Sequence, residues 1–501
     1  MRRFLKTAAV AGLLLAVCQA PAVLAAQTHK TDAAPKAADK SFNLPPFPAA
    51  AHVMQTTHVD GKTLHYKVTV GWLPVRDDKG KMTGQVMYTA FTVPGKQRPV
   101  TFALNGGPGA SSVYLDFGAI GPKTVNFGDK GDTPSQRPTL HDNPGTWLDF
   151  TDLVFIDPIG TGFSRALVDD KKATKLFYST DADIHYLSRI IYDWLIHNGR
   201  MESRKYFVGE SYGGFRGPRI TAYLQTQLGV AMNGVVLLSP YLDPGAYADR
   251  FVSPVPWMLT LPPIAAAHLE REGKLTAAAM QPIIHYTLTT YATTLMQGRS
   301  DPAGYQAMIR KVTALTGLDP TFVKHSGGRI STGAYLREVH RNQGKLGSVY
   351  DSNYATWDPF PYAPHQMSGD PLLNTIIAPT TEAMVHFITQ TVGWKYYGRY
   401  HALSYQVNRL WHEDDDARSG SVKQLRKAVA NDANLRVLIA HGWNDLSCPF
   451  MASVLVVNQM PAMDDRVQVK EYPGGHMFYT RKDSQKALRQ DVMALYQNTS
   501  R

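Results

Sequence analysis

The sequence predicts an α/β fold with a mostly parallel central sheet, and three observations support that prediction. Short apolar runs bounded by turn residues recur along the chain and suit the buried strands of such a sheet. Helix-like stretches separate many of these runs, as expected where crossover helices join parallel strands. The 501 residues are 44% hydrophobic and 10% aromatic, which is the composition of a folded protein with a large core.

Residues 1–25 have the layout of a secretory signal peptide. Basic residues precede an apolar run at residues 7–17, which is too short to span a bilayer comfortably. The pair Arg2 and Arg3 leaves twin-arginine export open, and Cys18 leaves lipoprotein processing open. We expect export to the periplasm or the medium, with no transmembrane segment in the mature chain.

Residues 26–50 are rich in Ala, Lys, Pro and Thr without periodicity, which predicts a flexible tether. The net charge of +11 includes three positive charges in the predicted signal. Because no Lys/Arg stripe with interleaved aromatic residues is present, we expect no nucleic-acid binding. Only Cys448 would remain after signal removal, so no internal disulfide can form, and we predict a buried, apolar role for this residue.

Residues 51–245 are predicted to form the first part of the core. An antiparallel hairpin opens it, because HYKVTVGWLPV and GQVMYTAFTV alternate apolar and polar residues around a turn at 77–80. In DIHYLSRIIYDWLIHN (183–198), apolar residues three or four positions apart predict one buried helix face. The predicted buried strands are VTFAL (100–104), DLVFID (152–157), KYFVG (205–209) and GVVLL (234–238).

The alternation of strand and helix fails over residues 246–386. Helix-like stretches there mix with the Pro- and Tyr-rich WDPFPYAPH, and we interpret this segment as an inserted, largely helical cap. Residues 387–501 would complete the core with two further strands, RVLIA (436–440) and RVQVKEY (466–472).

A serine lies at a predicted sharp turn between a strand and a helix. GESYG (209–213) fits G-x-S-x-G between a strand and a helix, where glycines allow the backbone to turn and present Ser211 above the sheet edge. We expect Pro218 in the first turn of that helix. Ser211 is therefore the predicted nucleophile; the alternative is an idle serine in a glycine-rich turn.

The acid and the base should follow the serine in that order. His476 lies in a glycine loop directly after a predicted strand, and Asp445 follows the strand before it. Asp464 and Asp465 adjoin the start of a strand, at the opposite sheet edge. The predicted triad is Ser211, Asp445 and His476, with Asp445 orienting the imidazole that accepts the serine proton.

A second glycine segment, NGGPG (105–109), follows the strand VTFAL. Backbone N–H groups of Gly107 and Tyr212 would form an oxyanion hole. An ordinary tight turn and a phosphate cradle are the alternatives, although the lysine of a P-loop is missing. We predict no cofactor and no metal site, because the acidic run WHEDDD (411–416) is typical of a solvated loop.

Several motifs, in this order, resemble the serine carboxypeptidase family of α/β hydrolases. They are LNGGPGASS (104–112), NPGTW (143–147), DPIGTGFS (157–164), GESYGG (209–214), DLSC (445–448) and GGHM (474–477). The resemblance covers most of residues 60–240 and again about 430–480. It implies the α/β-hydrolase fold, peptide substrates with a free C-terminus and an exported, bacterial member of the family.

The resemblance also implies that Glu210 and Asn105 bind the substrate's C-terminal carboxylate, helped by the Gly106 backbone. A protonated Glu210 can donate a hydrogen bond to a carboxylate and an ionised one would repel it, so acidic pH should favour cleavage. The alternatives are a surface or supporting acid for Glu210 and a turn former for Asn105. Two departures are Ala110, where many relatives have a disulfide cysteine, and Trp443, where an aspartate is usual.

The expected function is that of an exported serine carboxypeptidase that acts through an acyl-enzyme. The same triad would also serve an acyltransferase or an esterase. A catalytically silent binding protein is the alternative from another class.

Overall fold

The computed structural model describes residues 44–95, 98–131, 138–247, 252–363, 366–412 and 420–499. The predicted signal peptide and most of the predicted tether lie outside these residues, and so does most of the acidic run at 411–416.

A single large sheet organises the fold. Its order is β1-β2-β3-β7-β4-β9-β10-β13-β14, and β8 pairs with β3. The pairs from β1 to β7 are antiparallel, whereas the pairs from β7 to β14 are parallel. The described strands are β1 Ala51–Val59, β2 Lys62–Arg76, β3 Met82–Thr92, β4 Val100–Leu104, β5 Lys123–Val125, β6 Leu140–Asp142, β7 Asp152–Ile156, β8 Arg165–Ala166, β9 Lys205–Glu210, β10 Gly234–Leu238, β11 Lys345–Gly347, β12 Ala355–Trp357, β13 Arg436–Gly442 and β14 Val467–Tyr472. Strands β5 and β6 pair with each other outside the large sheet, as do β11 and β12.

This arrangement confirms the predicted mostly parallel sheet with an antiparallel N-terminal hairpin. The apolar run VTFAL coincides with β4, and GVVLL coincides with β10. Strand β1 was not predicted, although its burial alternates along AHVMQTTHV. It pairs with β2 over its whole length and forms the edge of the sheet.

Helices cover both faces of the sheet. They are α1 Val113–Leu115, α2 Asp170–Phe177, α3 Thr180–His197, α4 Tyr212–Gln227, α5 Val255–Arg271, α6 Ala277–Tyr286, α7 Ala292–Gln297, α8 Pro302–Thr316, α9 Pro320–His325, α10 Thr332–Glu338, α11 Pro371–His386, α12 Tyr405–Leu410, α13 Val422–Asn431, α14 Phe450–Asn458 and α15 Lys482–Asn498. Successive strand residues enter different clusters, as when Phe207 packs on the α3 side and Val208 on the other. Each fully buried apolar side chain of this size stabilises the fold by about 1.5–3 kcal/mol.

The segment between β10 and β13 is largely helical, with one short hairpin formed by β11 and β12. Helices α5 to α10 build small apolar clusters of their own, which also include Trp443 and Leu446. Helix α11 instead packs into the main cluster on the sheet, through residues such as Leu372 and Ile376. The inserted segment is therefore attached to the core at more than one place.

Candidate active site

Ser211 lies at the turn between β9 and α4. Its φ of 60° and ψ of −121° are in a region that non-glycine residues rarely occupy, as expected at a strained turn that presents a nucleophile. Glycines make the turn possible, because a Cβ on Gly209 would lie 2.1 Å from the carbonyl oxygen of Gly213. Helix α4 begins directly at Tyr212, so Pro218 lies inside the helix and the prediction of a first-turn proline was wrong.

The glycine segment after β4 packs directly against this turn. A Cβ on Gly106 would be 2.3 Å from the backbone nitrogen of Tyr212, so only glycine fits there. Gly107 is exposed, has a φ of +103° and lines the same cleft as Ser211. The Tyr212 N–H is one of the helix N-terminal donors that have no partner within the helix. Both N–H groups predicted for the oxyanion hole therefore belong to segments that meet at Ser211.

Asp445 and His476 form a buried hydrogen-bonded pair. Oδ2 of Asp445 lies 2.8 Å from Nδ1 of His476, while Oδ1 accepts the backbone N–H groups of Ser447 and Cys448 at 2.8 and 2.9 Å. The Ser239 hydroxyl donates to the carbonyl oxygen of His476 at 2.8 Å. These contacts orient the imidazole with Nε2 directed away from Asp445.

Nε2 of His476 has no hydrogen-bond partner among the described residues, and it lies 3.4 Å from Oε1 of Glu210. The serine–histidine hydrogen bond is thus not made in this form, and such bonds often tighten only when substrate is bound. Burial of His476 opposes its charge, but Asp445 and Glu210 outweigh this effect and raise its pKa to about 9.

Glu210 and Asn105 contact each other beside the serine. The Asn105 amide donates from Nδ2 to Oε2 of Glu210 at 2.7 Å, and its Oδ1 accepts the backbone N–H of Leu115 at 2.9 Å. The Tyr479 hydroxyl lies 3.5 Å from Oε1 of Glu210. Burial raises the pKa of Glu210, although the positive charge of His476 and the Asn105 hydrogen bond oppose the shift. Glu210 is therefore a buried acid and not a surface one.

A buried ion pair that the sequence did not predict contacts the start of the glycine segment at residues 105–109. Nε of Arg216 lies 2.5 Å from Oδ2 of Asp183, and the same guanidinium donates to the carbonyl oxygen of Asn105 at 2.7 Å. Tyr186 in turn donates to Asp183 at 3.1 Å. The arginine directly follows the serine motif in GFRGP, but nothing local in the sequence identifies Asp183 as its partner.

The cleft that contains Ser211 has a volume of about 190 Å³. It is lined by Gly107, Ala110, Tyr114, Glu210, Ser211, Tyr350, Leu373, Leu403, Tyr405, Asn408, His476 and Met477. Tyr350 comes from the inserted segment; its ring meets His476 edge-on at 5.1 Å between centroids, and its carbonyl oxygen accepts the His476 N–H. Sequence reasoning did not find the lining residues of the inserted segment, because no motif marks them.

Cys448 is buried, as predicted. Burial, and then the charges of Asp445 and Glu210, raise the pKa of its thiol, so the thiol stays protonated beside Ser211. Trp443 packs edge-on against Phe450, and Ala110 is buried at the cleft wall. Both departures from the family pattern are therefore accommodated by apolar packing.

Comparison with known proteins finds one family that the first half of the chain is similar to. Residues 59–279 match the family model described as serine carboxypeptidase. The serine carboxypeptidase-like 50 protein of Arabidopsis thaliana is 34% identical over 158 residues, covering 31% of this chain and 33% of the relative. This part of the chain is similar to the serine carboxypeptidase family. The pheromone-processing carboxypeptidase kex1 of Pyrenophora tritici-repentis is 28% identical over 263 residues, which cover 50% of this chain and 35% of that protein.

The match to serine carboxypeptidases covers only part of each protein. This chain spans about a third of the length of these two relatives, at 33% and 35%. Asp445 and His476 lie beyond the residues that match the family model. The two relatives come from a plant and a fungus, so they give no support to the prediction of a bacterial member.

A solved structure has a similar fold. The crystal structure of a prohormone-processing carboxypeptidase from Saccharomyces cerevisiae superposes with a TM-score of 0.52 at 15% identity, over 86% of this chain and 92% of that one. This likeness confirms the α/β-hydrolase fold predicted from the sequence. Within the described ranges, no helix has the length and apolar character needed to cross a membrane, and no cluster of three metal-ligating side chains occurs.

Proposed function

We propose that this protein is a serine-type carboxypeptidase that removes C-terminal residues from peptides at acidic pH. The observation that carries the proposal is the contact between Asn105 and Glu210, 2.7 Å apart, immediately beside Ser211 and the His476 imidazole. An amide donor and a buried acid of raised pKa form a suitable receptor for a substrate carboxylate. Binding the carboxylate there would bring the last peptide bond to the serine.

In the proposed reaction, Nε2 of His476 accepts the proton of the Ser211 hydroxyl as Oγ bonds to the carbonyl carbon. Asp445 holds the imidazole and stabilises its positive charge. The backbone N–H groups of Gly107 and Tyr212 would stabilise the charge on the carbonyl oxygen. His476 then gives the proton to the departing amine, which leaves the remaining peptide as an ester on Ser211. Water, deprotonated by His476, hydrolyses this ester.

The C-terminal carboxylate would be held by Glu210, Asn105 and the Gly106 backbone. We further propose that residues 246–386 act as a cap, since Tyr350 and Leu373 line the cleft. This activity fits a protein that is exported and whose signal peptide, residues 1–25, is cleaved. The mass of the mature N-terminus would test it, and an intact Met1 would contradict it.

The decisive experiment compares a blocked peptide with a free C-terminus and the same peptide amidated. A carboxypeptidase should cleave the free acid with a much higher kcat/KM at acidic pH, because only the free acid has the carboxylate that Glu210 binds. Ser211→Ala serves as the control and should abolish turnover without unfolding the protein. Equal cleavage of the two peptides would favour an esterase or an acyltransferase. Absence of turnover in the wild type, without labelling of Ser211 by a fluorophosphonate, would favour a binding protein.

A further inference from the structure

Tyr114 has a buried hydroxyl group without a hydrogen-bond partner among the described residues. The residue belongs to α1, a single turn shortly after the glycine segment, and is only 8% exposed. A buried polar group without a partner destabilises the folded protein, so such groups are rare and often functional. The Tyr114 hydroxyl is therefore a candidate for a contact with a ligand.

Tyr114 lines the catalytic cleft and also a smaller, mostly apolar cavity that adjoins it. Met477 is the other residue shared by the two cavities, and Tyr479, whose hydroxyl contacts Glu210, lines the smaller one. Burial, and then the proximity of Tyr405, Glu210 and Tyr350, raise the pKa of the Tyr114 phenol. The hydroxyl thus remains protonated and can act as a hydrogen-bond donor, on a residue that lines the same cleft as Glu210.

Two other buried tyrosine hydroxyls near the site already have partners. The Tyr212 hydroxyl shares a hydrogen bond of 2.8 Å with Thr180. The Tyr400 hydroxyl lies 3.1 Å from the Ser111 hydroxyl and 3.2 Å from a carboxylate oxygen of Asp157. Tyr114 is also coupled to Asn105, because the next residue, Leu115, donates its N–H to Oδ1 of that asparagine. This hydrogen bond holds the backbone next to Tyr114 against the Asn105 side chain.

We propose that the Tyr114 hydroxyl donates a hydrogen bond to the C-terminal carboxylate of the substrate, beside Asn105 and Glu210. This inference rests on the proposed carboxypeptidase function and adds a binding residue to it. A carboxylate has two oxygens and about four acceptor positions, more than Asn105, the Gly106 N–H and Glu210 fill. The oxyanion hole has its own backbone donors at Gly107 and Tyr212, so a side-chain donor next to Glu210 fits the carboxylate better.

The test is Tyr114→Phe, which removes only the hydroxyl. For the free-acid peptide we expect KM to rise about tenfold with kcat nearly unchanged, because a hydrogen bond to a charged group is lost. The amidated peptide should show no change. Tyr66→Phe is the matched control, since Tyr66 also has a buried hydroxyl without a partner among the described residues but does not line either cavity. Both variants should unfold at the wild-type denaturant concentration or above it.

Direct binding separates this inference from the proposed function. The affinity of the wild type and of Tyr114→Phe for N-benzoyl-phenylalanine, a blocked amino acid with a free carboxylate, is measured by calorimetry. A tenfold weaker binding in the variant supports the inference even if the wild type cleaves neither peptide, an outcome that would refute only the carboxypeptidase activity. Unchanged affinity, no binding by the wild type, or an equal loss with free-acid and amidated peptides would overturn the role of Tyr114.

Discussion

Glu210 and His476 are close enough to share a single proton. Oε1 and Nε2 are 3.4 Å apart, and both side chains are almost completely buried. The negative charges of Asp445 and Glu210 hold the pKa of His476 near 9, which would keep the base protonated at neutral pH. When Glu210 takes the proton to receive a substrate carboxylate, one of those two charges disappears and His476 becomes a base more readily. We infer that carboxylate binding and base activation use the same proton.

Glu210→Gln tests this coupling. The amide can still donate to a carboxylate, so kcat/KM for a free-acid peptide should no longer fall as Glu210 loses its proton with rising pH. The substitution also removes a negative charge beside His476, which lowers the pKa of the base. The rise of kcat/KM with pH for the amidated peptide should therefore shift to lower pH than in the wild type. Both profiles are measured as kcat/KM against pH.

The control for this prediction is Glu471→Gln. Burial raises the pKa of Glu471 as well, but this residue lies on β14 and does not line the cleft. Its replacement should leave both profiles unchanged. If Glu210→Gln also leaves both profiles unchanged, the shared proton and the role of Glu210 as carboxylate receptor are refuted.

At the scale of elements, the site depends on how closely β4, β9 and the start of α4 approach one another. A Cβ on Gly213 would lie 2.2 Å from the carbonyl oxygen of Leu104, at the end of β4. The contact is with backbone, so no side chain can rotate away to make room. The two segments proposed to supply the nucleophile and the oxyanion hole are therefore held together by glycines.

Gly213→Ala should destabilise the protein by about 3 kcal/mol or more, because the methyl group forces the strand end and the helix apart. Any folded fraction should also lose activity, since the same shift moves Tyr212 away from Gly107. Gly333→Ala is the matched control: Gly333 is likewise the second residue of a helix, but a Cβ there has no atom within 4 Å. It should be neutral or stabilising by about 0.5–1 kcal/mol. Urea denaturation measures both effects, and equal stabilities of the two variants would contradict the prediction.

The sequence predicted the elements whose residue pattern lies within one short stretch of the chain. Runs such as VTFAL and GVVLL are apolar because both faces of their strands are buried, and the glycines around Ser211 mark a turn that no other residue can make. Contacts between distant segments have no such signal. Asp183 and Arg216 form one ion pair, and Tyr114 comes to lie beside Glu210, only because the fold brings separate helices and strands together.

For the whole molecule, two buried acids outside the cleft affect stability at different pH values. Asp157, the first residue of the DPIGTGFS motif, accepts the Ser112 N–H at 2.8 Å and the Tyr400 hydroxyl at 3.2 Å. Asp116 lies near it, and neither of its carboxyl oxygens has a hydrogen-bond partner among the described residues. Burial raises the pKa of both acids, that of Asp157 to about 7. Among the described residues, neither acid forms an ion pair with a cation, so the folded protein favours their neutral forms.

The free energy of unfolding should therefore fall as the pH rises from about 4 to about 7. The folded protein keeps the Asp157 proton up to about pH 7, whereas an aspartate in the unfolded chain loses it near pH 4. The proton therefore contributes its full stabilisation below about pH 4, and this contribution disappears as the pH rises to about 7. For Asp157 the contribution to the free energy of unfolding is on the order of 4 kcal/mol. Asp157→Asn keeps an acceptor for Ser112 but cannot ionise, so its unfolding free energy should depend less on pH. Urea denaturation at several pH values measures this, with the exposed Asp78→Asn as control. If Asp157→Asn loses as much stability as the wild type over this range, Asp157 does not cause the pH dependence of the unfolding free energy. A protein proposed to work at acidic pH would then owe its stability in acid to other groups.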